Sequence, residues 1–389
     1  MTTVLMLFAA CRTPRKTLES ALAAPTPLVS VPFDLYNNHI YVRAIINGDS
    51  AWLVLDTGDP HTLLDSAWAL GIGALPFGKL DQFTEARVDS IALGELRLRN
   101  YRVDLAQTDL ISQASGRPIR GLLGAEVLRR FTVEIDPGER RVKLYDPATY
   151  WYSGPGTVVS MVPRRGVVVA RARLKISGGR TVKANLVLDT GASRECLIFS
   201  RRFVSRHAQL DRLRNVESVV GVGLRGQFNG RIVRVEELRL GPFLARGPTA
   251  GLPDSGTERI LDIAEDGVVG NQMLSRIGVV FDYARDRMIL SKAGMDAADC
   301  PYDMSGIAFT TTGPSLTGLR VIAVAPTSPA AEAGIVIGDE ILAVDGRSAS
   351  DLTLWEVRQA LMVAGAKREL LVRRGADSIA VTLVLRPLL

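Results

Sequence analysis

Cysteine and histidine are almost absent from this 389-residue chain: Cys11, Cys196 and Cys300 are the cysteines, and His39, His61 and His207 the histidines. Their spacing fits no zinc motif, so no metal site is expected. Cys196 lies in an apolar stretch and reads as a core residue. No motif context supports a Ser–His–Asp arrangement, and no glycine-rich phosphate loop occurs, which leaves no cofactor to expect. Aromatics make up only 6% while glycine reaches 36 residues, a balance that suits a protein of strands and turns. Lysine and arginine outnumber aspartate and glutamate by 47 to 41. The excess is scattered and accompanies no nucleic-acid motif, so it implies a solvated basic surface with some attraction for anionic lipid, and no nucleic-acid partner.

What is present is a duplication. Leu53-Val54-Leu55-Asp56-Thr57-Gly58 returns as Leu186-Val187-Leu188-Asp189-Thr190-Gly191. Downstream, Gly121-Leu122-Leu123-Gly124 is answered by Gly267-Val268-Val269-Gly270, and a constant offset of 146 residues carries Gly121 to Gly267 and Asp136 to Asp282. Alternating β-branched residues between turn signals predict strands on both sides of each triplet. Asp136-Pro137-Gly138-Glu139 predicts a turn, and short helices are expected near residues 125–130 and 272–276. A duplicated unit of this kind can bring two carboxylates together, and two carboxylates sharing one proton can drive peptide hydrolysis without a metal.

On these paired motifs the chain, over roughly residues 31–292, resembles the aspartic proteases, and more closely the retropepsin-like proteins of bacteria. The resemblance implies a mainly β, pseudo-twofold fold of two tandem lobes in one chain, residues 31–150 and 151–292, facing each other across a cleft. Asp56 and Asp189 would then be the catalytic pair, activating water for attack on a protein or peptide substrate. Thr57, Gly58, Thr190 and Gly191 would hold the two loops, with Gly124 and Gly270 letting a supporting segment pass beneath. The family usually has Ala or Ser after the triplet. The second copy has Ala192, but the first has Asp59, which either adds a third carboxylate to the site or points outward to an arginine. The glycine-rich run Gly221–Gly226 is the better candidate for a substrate-covering flap, since the matching stretch near Phe77–Arg87 has little glycine.

Past a small, polar linker, residues 293–304, the sequence Ile337-Gly338-Asp339-Glu340-Ile341-Leu342-Ala343-Val344-Asp345-Gly346 resembles a PDZ domain, over about 305–389. In that family Gly306-Ile307-Ala308-Phe309 would match the carboxylate-binding loop, with Ala308 in place of the second glycine. A helix from Leu352 to Val363 would form the other wall of a groove for a C-terminal or internal peptide. At the other end, Val4-Leu5-Met6-Leu7-Phe8-Ala9-Ala10-Cys11 resembles a bacterial lipoprotein signal, although no basic residue precedes it. Residues 1–30 would then be leader and tether, with Cys11 lipidated and the protein periplasmic or membrane-anchored; a cytoplasmic placement is the alternative. The function expected is an aspartic endopeptidase whose PDZ domain positions substrates, against a catalytically silent scaffold that presents the PDZ domain. A third expectation is a PDZ domain that restrains the peptidase until a ligand arrives.

Overall fold

Short apolar alternations broken by glycine and asparagine turns become strands almost throughout, and the protein is mainly β. The computed structural model describes residues 25–178, 181–257, 264–292 and 300–389. The lipoprotein-like segment and Cys11 lie outside the described residues, as does most of the linker.

The duplication in sequence is a duplication in topology. In the first half, strand Asp49–Leu55 runs parallel to Gly121–Leu123, pairing Leu55 with Leu123, and Leu63–Asp65 lies antiparallel on the other side of Gly121–Leu123. In the second half, Thr181–Asp189 runs parallel to Gly267–Gly270, pairing Asp189 with Gly270, and Leu197–Phe199 takes the third place. Each triplet therefore leaves a buried strand at a point fixed by a neighbour on its flank. The short helices Ala125–Leu128 and Asn271–Leu274 follow Gly124 and Gly270.

The halves are joined by a shared sheet. Its strand order is Val29–Tyr36, Arg141–Tyr145, Thr132–Asp136, Ile277–Asp282, Arg287–Lys292 and Thr157–Arg164. The two central strands run antiparallel, with Val279 opposite Ile135 and Asp282 opposite Thr132. Val133, Ile135, Val279 and Phe281 are buried there, so apolar burial and backbone pairing act together at the junction. Asp282 is also buried, and Arg287 neutralises it by donating to its carboxylate at 2.8 Å.

The C-terminal region has its own sheet and its own apolar core, including Ile307, Phe309, Val321, Ile341, Val357 and Leu370. Asp345 and Gly346 both adopt left-handed backbone, as the tight hairpin between Glu340–Val344 and Arg347–Ser348 requires. The expected helix is shorter than its sequence pattern, spanning Leu354–Ala360. Thr353 and Glu356 close a reciprocal capping box at its start.

Cys196 is a buried core residue, as expected, and it is also joined to Cys300 in a disulfide, which was not expected. The bond ties the loop after Asp189-Thr190-Gly191 to the segment that enters the C-terminal domain.

Candidate active site

The parallel strand pairings aim both triplets at the seam between the halves, and there the structure brings Asp56 and Asp189 together. Asp56 Oδ1 accepts from the amides of Gly58 (2.8 Å) and Asp59 (3.0 Å). Asp189 Oδ1 accepts from the amides of Gly191 (2.8 Å) and Ala192 (3.1 Å). The two carboxyls lie within hydrogen-bonding reach of each other. Burial and then the charge of Asp189 push Asp56 well above the ordinary carboxylate range. Burial also raises Asp189, against the lowering by its two amide donors. Two buried like charges at this range are costly, whereas a shared proton removes the repulsion and satisfies both groups.

The threonines beneath are crossed. Thr57 Oγ1 donates to Leu188 O at 2.7 Å, and Thr190 Oγ1 donates to Leu55 O at 2.6 Å. Each threonine amide donates to the other's hydroxyl at 3.1 Å. Both threonines are almost fully buried, so these bonds have no competing water. The glycines are equally reciprocal. A Cβ on Gly58 would stand 2.2 Å from Asp189 Cγ, and one on Gly191 would stand 2.2 Å from Asp56 Oδ2. Each glycine thus clears space for the opposite half's carboxylate. One layer down, a Cβ on Gly124 would strike His61 O at 2.2 Å, and one on Gly270 would strike Glu195 O at 2.3 Å.

Asp59 takes the inward alternative. It lines the cleft and accepts from the His61 amide at 3.0 Å; burial and then the Asp56 charge raise it to about 7. His39, half-buried in the same wall, is pushed down to about 4, chiefly by desolvation, and stays neutral.

The cleft above the pair holds about 570 Å³ and is lined by apolar side chains from both halves, among them Leu63, Phe83, Leu122, Val187 and Val268. Two hairpins overhang it rather than the single glycine-rich one expected. Leu75–Leu80 and Phe83–Leu93 form one, Asn215–Gly223 and Gly226–Arg234 the other. Their tips meet where Arg225 Nη2 donates to Asp81 Oδ2 at 2.7 Å. Glycine was a poor guide to the first hairpin because Asp81 itself adopts the left-handed turn conformation, at φ 55°.

In the C-terminal domain, Gly306-Ile307-Ala308-Phe309 enters the edge strand Ile307–Thr312, with a bulge between Ala308 and Phe309. The carboxylate of Asp303 already occupies the amides of Gly306 (2.7 Å) and Ile307 (3.3 Å), a contact no sequence signal announced.

Residues 320–374 match the family model for the PDZ domain. No curated protein matches the chain. Among solved structures, the HtrA3 PDZ domain bound to a phage-derived ligand (FGRWV) is 32% identical, covering 21% of this chain and 83% of that one, with a TM-score of 0.19. Basic 7S globulin from soybean is 12% identical over 71% of this chain and 99% of its own, at a TM-score of 0.40. A photosystem II D1 C-terminal processing protease is 27% identical over 22% of this chain and 23% of its own, at 0.20.

Proposed function

We propose that this chain, in which residues 320–374 are a PDZ domain, is an aspartic-type endopeptidase. The observation that carries the reading is the paired carboxyls of Asp56 and Asp189 at the floor of an open, largely apolar cleft, each braced by two amides and by crossed threonines. With one proton between them, the ionised carboxylate draws a proton from a bound water as the oxygen attacks the scissile carbonyl. The protonated carboxyl donates to the developing oxyanion, and the proton gained by the base then passes to the departing amine. Roles belong to the pair and not to either residue. The apolar lining favours unfolded segments with apolar side chains around the scissile bond, and the hairpin tips exclude water once such a segment is seated.

The PDZ domain, by the same proposal, binds extended peptide and brings protein substrates to the cleft. Export to an oxidising compartment is part of the reading, because the Cys196–Cys300 disulfide persists there and not in a reducing cytoplasm.

Asp56→Asn and Asp189→Asn test the assignment. Each is expected to lower kcat for an unfolded protein substrate by a factor on the order of 10⁴ while the melting transition stays cooperative. Full turnover in either variant overturns it.

A further inference from the structure

A PDZ domain receives peptide between its edge strand and the neighbouring helix. Here those walls are Ile307–Thr312 and Leu354–Ala360, and the space between them is taken by the chain's own helix Asp109–Ser115 from the first half. Thr311 Oγ1 donates to Gln113 O at 2.8 Å. Arg358 donates to Ala114 O at 3.2 Å and to Asn37 Oδ1 at 2.7 Å, and its guanidinium lies 5.9 Å from the Phe309 ring. A Cβ on Gly116 would stand 2.6 Å from Leu354 Cβ, so the chain leaves the helix in direct contact with the opposite wall. Thr311 and Leu354 are only 1% and 2% exposed, which leaves no room for a second occupant.

The same helix walls the cleft. Ile111 and Ala114 line it, and Ser115 is hydrogen-bonded to the Tyr41 hydroxyl at 2.6 Å. Arg358 reaches further: it is desolvated, held down to about 9 by burial and by the nearby Arg194, and Arg194 lines the cleft just beyond Gly191-Ala192. One segment is therefore both a filler of the peptide groove and a wall of the candidate active site.

We infer that this docking is a latch: an extended peptide that adds as a strand to Ile307–Thr312 displaces Gln113–Gly116 and releases the cleft wall. The partner it fits is an internal, strand-forming segment of an unfolded protein. Asp303 already spends the Gly306 and Ile307 amides, so recognition runs along the strand edge and not through a terminal carboxylate. Coupling is reciprocal, and a ligand in one site strengthens binding in the other when both favour the undocked helix. The effect on turnover rests on the peptidase reading, while the latch itself does not.

The experiment uses the full chain and breaks the contact from each side. Asn37→Gly removes the acceptor of Arg358 and the 3.3 Å donor to Ser115 O, at a residue whose φ of 49° suits glycine. Arg358→Ala removes the partner side. Hydrogen exchange is followed at Ile307–Thr312, with turnover of β-casein measured in parallel. Both variants are expected to speed exchange of the edge strand at least about tenfold and to raise kcat/KM about fivefold or more. Unchanged exchange in both variants overturns the latch, and faster exchange with unchanged turnover overturns its control of the cleft. If the wild type cleaves nothing, the peptidase reading falls and exchange alone still decides the latch.

Discussion

The two halves agree within the triplets and at the glycine beneath each, and differ at the residue that follows the triplet and in how they attach to the rest of the chain. Gly58 and Gly191, and Thr57 and Thr190, make matching contacts across the seam, and Gly124 and Gly270 make matching contacts each within its own half. After the triplets the match ends: Asp59 turns a carboxyl into the cleft, while Ala192 brings none. The attachments differ as well. The first half holds the PDZ domain by hydrogen bonds from Thr311 and Arg358, whereas the second half adds a hydrogen bond from Arg214 to Pro387 O and a covalent bond from Cys196 to the adjoining segment. Geometry that must position two groups about one proton tolerates no asymmetry, whereas pH response and domain attachment require only one side.

The largest effect should come from breaking a symmetric contact. Gly58→Ala and Gly191→Ala each drive a methyl into the opposite aspartate, and both should lower kcat by a factor on the order of 10³ to similar extents. A variant that leaves one half's glycine dispensable would show that the halves do not share the site.

Asp59→Asn sharpens the asymmetry through pH. Folding raises this carboxyl from an ordinary value near 3.8 to about 7. Between those values the folded state holds a proton that the unfolded state has lost, so stability falls as pH rises through the window and is lowest above it. The substitution should therefore stabilise the protein at pH 8 by roughly 2–4 kcal/mol and leave it nearly unchanged at pH 3.5. Denaturant titrations at the two values read this, and an equal change at both would contradict it.

The smallest effect on turnover concerns attachment. Cys196→Ser/Cys300→Ser opens a link across 104 residues and should cost up to about 4–5 kcal/mol of stability in chain entropy, seen as a lower melting temperature, while the hydrogen-bonded contacts still hold the domain. Complete release of the PDZ domain in that variant would mean that the first-half contacts contribute nothing.

Much of this arrangement was legible in the sequence because the duplication repeats residues that act through their own chemistry. An Asp-Thr-Gly after an apolar run names a turn, an acceptor and a close approach at once, and a constant offset reports equal spacing of strands. The PDZ hairpin was equally open, since Asp345-Gly346 specifies its turn. What stayed hidden acts across long separations without a residue signature. The groove is filled through the carbonyls of Gln113 and Ala114, and a carbonyl is the same in every residue. Asp81 and Arg225 meet across 144 positions, and either could have faced solvent. The partner of Cys196 depends on where the segment after residue 299 travels, which composition does not encode. Asp59 had two physically sound orientations, and the inward one is held by the His61 amide, which donates to its carboxylate at 3.0 Å.

Titration of the carboxyl carbons of Asp56 and Asp189 by NMR, with labelled aspartate in the full chain, tests the shared proton directly. Two linked steps are predicted, at least one of them well above 4, with both resonances moving in each step. Independent titration of the two groups near 3.8 would contradict the account.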